Sequence, residues 1–109
     1  MKPIVDEIAR KFRDALKEAI SDFEGLYVYG SQVRDDATED SDIDIVILFA
    51  NEEAKKSRAY YRILSQMMHD YYDTNLDLDT HRYTREELWL NSSYYDEVVN
   101  KGVWYAAAA

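Results

Sequence analysis

The 109-residue chain contains no cysteine, one proline and three glycines. The lack of cysteine excludes disulfides, thiolate catalysis and zinc sites built on cysteine. Its longest apolar run, residues 45–50, is far too short to cross a bilayer. The first segment is interrupted by charged residues and lacks the continuous apolar core of a signal peptide. We therefore expect a cytoplasmic protein that does not associate with membranes.

Basic residues are also scarce, with 13 Lys and Arg against 22 Asp and Glu, a net charge of −9. Such a charge repels phosphate backbones and argues against broad electrostatic binding of nucleic acid. It leaves open an enzyme that acts on nucleotides, because clustered carboxylates attract hard cations. With 47% apolar residues, the length predicts one folded domain over residues 1–109.

Apolar periodicity predicts a small α/β (α+β) domain in which helices flank a small mixed β-sheet. A spacing of four residues predicts a first helix through Ile4, Ile8, Phe12, Leu16 and Ile20. Residues 26–29 and 43–49 predict two strands, and the second is apolar enough to be a central strand covered on both faces. Further predictions are a long helix from residue 51, a strand over 76–79, a helix after the capping-box pattern at 84–87, and a last helix that carries Tyr95 and Trp104.

Carboxylates alternate with apolar residues at the start of two of these strands. Asp42 and Asp44 precede and open the second strand, and Asp77 and Asp79 lie on the third. Residues two apart on a strand share a face, so each pair projects its carboxylates together. If the two strands are neighbours, Asp77 or Asp79 meets the first pair. Three carboxylates from two strands can hold two divalent ions, which is typical of phosphoryl and nucleotidyl transfer.

Gly30-Ser31 closes the first predicted strand immediately before a polar segment. A glycine there lets a phosphate approach the bare backbone, and the serine adds a hydroxyl donor. An ordinary helix-capping serine explains the same two residues.

The whole segment 27–45, from YVYGSQVRDD to ATEDSDIDI, is more specific than its parts. It resembles the signature of the minimal nucleotidyltransferases (MNT family) of the DNA polymerase β-like superfamily. In that family Gly-Ser is followed by Arg-Gly-x-Ala and then by Ser-Asp-x-Asp between hydrophobic residues. Ten residues separate Ser31 from Asp42, as is common there, and Arg34, Ala37 and Ser41 match its positions. Asp35 replaces the usual glycine, and aspartate tolerates left-handed backbone geometry better than most residues.

The resemblance implies the polymerase β-like fold and a role for each motif residue. Asp42, Asp44 and a third acid, preferably Asp79 and otherwise Asp77, would hold two Mg²⁺ ions. Gly30 and Ser31 would bind the phosphates of ATP, with assistance from Arg34, and AMP would pass to a hydroxyl of a macromolecule. The resemblance also implies a partner protein of the HEPN type, for which small MNT proteins act as antitoxins. A homo-oligomer is a further expectation.

A different class of function fits the same residues. The domain could keep the fold and act by forming a complex with a partner, without transferring nucleotide itself. The excess of tyrosine, ten residues, fits such an interface as well as a core. An acidic calcium-binding domain is disfavoured, because the acids do not follow the ligand spacing of an EF-hand loop.

Overall fold

A computed structural model describes residues 1–39 and 42–108 of the chain. Ser41 of the sequence motif and Ala109 of the terminal alanine run lie outside the described residues. Within those ranges, helices and strands follow one another as six α-helical segments, a 3₁₀ turn, a π-helical turn and four strands.

The helical segments differ greatly in length. The α-helices are α1 Pro3–Ala19, α2 Ser31–Arg34, α3 Glu52–Lys55, α4 Ala59–Asp70, α5 Arg85–Trp89 and α6 Ser92–Tyr95. A 3₁₀ turn covers Tyr72–Thr74, and the π-helical turn covers Asp96–Asn100. The strands are β1 Phe23–Tyr29, β2 Ile43–Phe49, β3 Leu78–Thr84 and β4 Val103–Ala106. Among the described residues, no helix combines the length and apolar character that a bilayer span requires.

The four strands form one mixed sheet in the order β3-β2-β1-β4. β1 runs antiparallel to both β2 and β4, whereas β2 and β3 are parallel. β2 is an internal strand, and every residue after Asp44 in it is buried. The predicted fold class, a small mixed sheet flanked by helices, is therefore confirmed, as is the central place of β2.

Three predicted elements differ in extent or kind. The last predicted helix ends at the π-helical turn, and Trp104 lies instead on β4, because Gly102 interrupts the helix before a run of residues that favour strands. The long helix from residue 51 divides into α3 and α4, where the Ser57 hydroxyl accepts from the backbone N–H of Ala59 at 3.3 Å. The third strand begins at Leu78 and not at residue 76, so Asp77 precedes it.

The two faces of the sheet are covered differently. The apolar stripe of α1 and the inner side of α4 pack on one face, where Ile43, Ile45 and Ile47 of β2 are fully buried. The other face carries a smaller cluster, in which Val46 and Leu48 pack against Leu88 and Val98 from the C-terminal helical region. The smaller cluster leaves the start of β2 and β3 uncovered, and the polar residues of that face are found there.

The capping box predicted at 84–87 begins α5. The Thr84 N–H donates to Glu87 Oε1 at 2.9 Å, and the Glu87 N–H donates to Thr84 Oγ1 at 3.4 Å. Lys55 also donates to Glu87, at 3.0 Å. The bond from the Thr84 backbone and, after it, the Lys55 ammonium lower the pKa of Glu87 from its usual 4.5. Glu87 thus joins α3 to the start of α5 while it is ionised.

Glutamine at this position keeps the capping geometry but removes the charge that faces Lys55 and the first turn of α5, so we expect Glu87→Gln to lower the free energy of unfolding by about 0.3–1 kcal/mol at pH 7. An acid whose pKa is lowered by folding stabilises the protein above its unfolded pKa, about 4.5, and loses that effect as the pH falls through its folded pKa. The difference between the proteins should therefore shrink at pH 3, measured by urea denaturation. Glu86→Gln, in the same turn, is the matched control. An equal difference at both pH values would contradict this role.

Candidate active site

The parallel pairing of β2 and β3 brings two of the predicted acids together. Asp44 lies directly opposite Asp79 in the register of the two strands. Their carboxyl groups contact each other, and Asp44 is half-buried whereas Asp79 is exposed. Both project from the face of the sheet opposite the α1 core, because their strand neighbours Ile43 and Leu78 are buried in that core. The alternation predicted from sequence is what places both acids on the open face.

Burial is the largest influence on Asp44 and raises its pKa. The negative charges of Asp79 and Asp42 raise it further, whereas His81 acts in the opposite direction. A carboxylate in this position is costly to keep ionised without a cation. Oxygen donors of this type are the ligands that Mg²⁺ prefers, so the chemistry of these side chains fits a divalent ion.

The predicted acids differ in how closely they approach Asp44. Among the described residues, no three carboxylate, imidazole or thiol groups are already gathered closely enough to enclose a metal ion. Asp42 is exposed just before β2, and its negative charge raises the pKa of Asp44. Asp77 is exposed before β3, where its backbone carbonyl accepts from the Ile43 N–H at 2.9 Å. Of the two alternatives for the third acid, Asp79 is the one in contact with Asp44.

Gly30 and Ser31 lie at the end of β1, beside this pair of acids. Tyr29 is opposite Asp44 in the β1–β2 register, so the strand delivers Gly30 to the same edge. Gly30 has φ 81° and is the N-cap of α2, and a Cβ atom at this position would collide with Asp44 Oδ2. Ser31 is the first helical residue and not the cap, so the helix-capping explanation of this serine is wrong. Only glycine fits this close approach.

The segment after Ser31 turns back at Asp35. Asp35 has φ 62° and ends α2 in the left-handed conformation, which aspartate tolerates better than most residues. The aspartate that replaces the usual glycine of the motif therefore keeps a glycine-like backbone. Arg34 precedes it, half-exposed, and its guanidinium donates to Asp36 Oδ2 at 3.2 Å and to Glu97 Oε1 at 2.5 Å.

Aromatic residues form a wall next to the acids. The hydroxyls of Tyr29 and Tyr94 share a hydrogen bond at 2.5 Å, with their rings edge to face at 5.5 Å. Burial raises the pKa of both phenols, and the charges of Asp44 and Asp79 contribute to the increase. His81, two residues beyond Asp79, lies 3.4 Å from Asp79 Oδ1 through its Nε2. The phenols and the imidazole therefore stay close to the two carboxylates.

A cavity of about 590 Å³ opens along this wall. It is lined by Tyr29, His81, Tyr83, Asn91, Ser93, Tyr94 and Glu97. The sequence assigned the tyrosines to a core or an interface and did not connect Tyr94 or Glu97 with the site. Tyr29 could have been found from its place next to Gly30, but no local pattern connects residues 94 and 97 to it. This cavity is shallow and open to solvent.

An apolar groove of about 650 Å³ lies farther along the same face. Its walls include Leu48, Leu88, Val99 and two tryptophans, Trp89 and Trp104. Trp89 is 68% exposed, and the adjacent Leu90 is 82% exposed. Exposed apolar groups of this size in one place are typical of an interaction surface.

Comparison with known proteins identifies the family of this domain and a similar fold. The chain matches the model of the nucleotidyltransferase domain family over residues 9–104. No curated protein matches it significantly. A crystal structure at 1.40 Å of a Sulfolobus solfataricus protein, provisionally described as a nucleotidyltransferase, has a similar fold, with a TM-score of 0.52 and 21% identity. The similarity covers 91% of this chain and 77% of that one. Because the family model matches most of the chain, from within α1 to the start of β4, the chain belongs to the nucleotidyltransferase domain family.

Proposed function

We propose that this domain transfers a nucleoside monophosphate, AMP from ATP, to a hydroxyl group of a macromolecule. The observation that carries the proposal is the parallel register that sets Asp44 against Asp79 beside Gly30. Nucleotidyltransferases use a nucleoside triphosphate and a divalent metal, and the oxygen donors at this edge suit Mg²⁺. The negative charge of the chain is compatible with binding of both the nucleotide and the metal. The phosphates would contact backbone N–H groups and cations at one edge of the sheet only.

Each residue of the edge has a task in this proposal. Asp42 and Asp44 would hold the two Mg²⁺ ions, and Asp79 would hold the one on the acceptor side. When bound, these ions neutralise the triphosphate and make the α-phosphorus more electrophilic. Gly30 leaves room for the terminal phosphates, and the Ser31 hydroxyl donates to them.

Asp79 Oδ1 lies 3.4 Å from Nε2 of His81, which lines the cavity, and we assign Asp79 to the acceptor hydroxyl for this reason. Its carboxylate takes the proton of that hydroxyl as the oxygen attacks the α-phosphorus. A bond forms between the acceptor oxygen and phosphorus, the bond from phosphorus to the bridging β-phosphate oxygen breaks, and pyrophosphate leaves. Catalysis then depends mainly on positioning and charge neutralisation.

The exposed apolar groove favours a protein partner for this domain. Trp89 and Leu90, both largely exposed, line this groove and offer an apolar contact to such a partner. The resemblance to MNT proteins suggests a HEPN-type partner as the acceptor, with this chain acting as the antitoxin. A module that only binds that partner is the second candidate, because the groove supports a complex whether or not nucleotide is transferred.

Transfer of isotopic label separates the two candidates. The chain would be incubated with Mg²⁺, a HEPN-type partner and ATP labelled on either the α- or the γ-phosphate. We expect covalent label on the partner from α-labelled ATP, none from γ-labelled ATP, and release of pyrophosphate. Label from the γ-position would indicate a kinase and contradict the proposal. A stable complex that carries no label from either ATP would support the binding module instead.

A further inference from the structure

The guanidinium of Arg34 is held by two acids from different parts of the chain. Nε donates to Asp36, two residues away, whereas Nη1 donates to Glu97, which belongs to the distant Asp96–Asn100 turn. These contacts occupy both the Nε side and the Nη1 side of the fork that a guanidinium presents to a phosphate. In the structure, Arg34 is therefore paired with two carboxylates and not with a phosphate.

The turn that carries Glu97 is fixed to the sheet on its inner side. Val98, the next residue, is fully buried in the smaller core cluster. Tyr94, just before the turn, shares its hydroxyl hydrogen bond with Tyr29 of β1. The turn is π-helical, a rare geometry that is frequent at functional sites. The backbone of Glu97 is consequently held in place by its packed neighbours. Its side chain contacts Arg34 and lines the cavity from this fixed position.

We propose that Glu97 competes with the phosphates of the nucleotide for Arg34, so that nucleotide binding breaks the Arg34–Glu97 ion pair. The inference rests on the proposed function, which places the phosphates at Gly30 and Ser31, within the same short helix as Arg34. Carboxylates and phosphates are alternative ligands of the same guanidinium donors. Once displaced, Glu97 has a second cation available, because Lys101 Nζ already lies 3.9 Å from its Oε2.

This competition lowers nucleotide affinity without blocking the site. Arg34 is half-exposed, and exposed ion pairs stabilise by about 0–1 kcal/mol. Removing the charge of Glu97 should therefore strengthen nucleotide binding by about two- to fivefold, the upper value being 1 kcal/mol as a ratio of dissociation constants.

The test is a set of calorimetric titrations with ATP and Mg²⁺. Glu97→Gln is expected to lower the Kd about two- to fivefold, with no gain in thermal stability. The matched control is Asp96→Asn in the same turn, because Asp96 contacts Lys101 and Asn100. It removes one negative charge from the same turn, without a contact to Arg34, and should leave the Kd nearly unchanged. In an Arg34→Ala background, Glu97→Gln should no longer improve binding.

The outcomes separate this inference from the proposed function. If the unaltered chain binds ATP with Mg²⁺ and Glu97→Gln matches Asp96→Asn, the competition is wrong and the proposed function stands. The same holds if the improvement persists in Arg34→Ala. Binding that appears only in Glu97→Gln would support the competition in a stronger form. Failure of both the unaltered chain and Glu97→Gln to bind would overturn the inference together with the proposed function.

Discussion

Asp44→Asn is expected to lower nucleotide transfer by more than about 100-fold and to raise the stability of the fold. Changing a residue that only supports a metal ligand lowers metal affinity or activity about 10–100-fold, so changing a ligand itself should lower transfer more. The gain in stability follows from burial and from the neighbouring carboxylates, which raise the pKa of Asp44 and make its ionised form unfavourable at pH 7. We expect about 0.5–2 kcal/mol, the usual range for stabilising substitutions.

The pH dependence of that gain has a definite sign. A raised pKa means that the folded state binds a proton more readily than the unfolded one, so ionised Asp44 destabilises the fold above pH 3.8, its usual pKa. The stability advantage of Asp44→Asn should shrink as the pH falls toward that value. Urea denaturation at pH 7 and pH 3.5, beside the label-transfer assay, measures both effects. If Asp44→Asn kept full transfer activity, Asp44 would not belong to the active site.

The other acids provide matched variants. Asp79→Asn should reduce transfer as severely as Asp44→Asn, because Asp79 contacts Asp44 and would receive the acceptor proton. Asp77→Asn changes the same charge two residues earlier, before the strand begins, and is expected to retain most activity. The reverse order, with loss in Asp77→Asn and not in Asp79→Asn, would show that the third acid had been chosen wrongly.

Gly30→Ala is expected to destabilise the fold by about 1–3 kcal/mol and to reduce transfer at least about tenfold. The φ of 81° at Gly30 is unfavourable for residues with a side chain, which accounts for the loss of stability. The added Cβ would also collide with Asp44 Oδ2 and move this carboxylate from its place. Thermal denaturation and the transfer assay, run at a temperature where the variant is folded, give the two readings.

Gly25→Ala serves as the control for general destabilisation. Gly25 also has a positive φ, 150°, and its Cβ would meet Trp104 and not an acid of the site. We expect a comparable loss of stability with transfer retained by the folded fraction. If both variants lost transfer only in proportion to their loss of stability, the close approach of Gly30 to Asp44 would not matter for transfer.

Local patterns in the sequence were sufficient for the parts of the site that depend on a single strand. The continuous apolar run of β2 predicted a central strand, and alternation placed Asp44 on the face opposite Ile43 and Ile45. The prediction that Asp35 could replace glycine depends only on backbone conformation, and the left-handed geometry at this residue agrees with it. Such features are determined by sterics and by burial of near neighbours.

Features that depend on pairing between distant segments could not be predicted in the same way. Which of Asp77 and Asp79 meets Asp44 depends on the register between β2 and β3, and alternation alone leaves both acids on one face. β4 was missed because the apolar spacing before Gly102 continued a helical pattern to Trp104. The contacts of Tyr94 with Tyr29 and of Glu97 with Arg34 join residues more than sixty positions apart, for which one sequence offers no signal.

The central claim is that Asp42, Asp44 and Asp79 hold divalent ions against a nucleotide at Gly30 and Ser31. A crystal grown with Mn²⁺ and a non-hydrolysable ATP analogue tests it directly, because anomalous scattering locates the metal independently of the nucleotide. The account predicts Mn²⁺ coordinated by oxygens of Asp44 and Asp79, with Asp42 turned toward it and the triphosphate beside Gly30. Nucleotide bound at another place, or Mn²⁺ that is ligated by neither Asp44 nor Asp79, would contradict it.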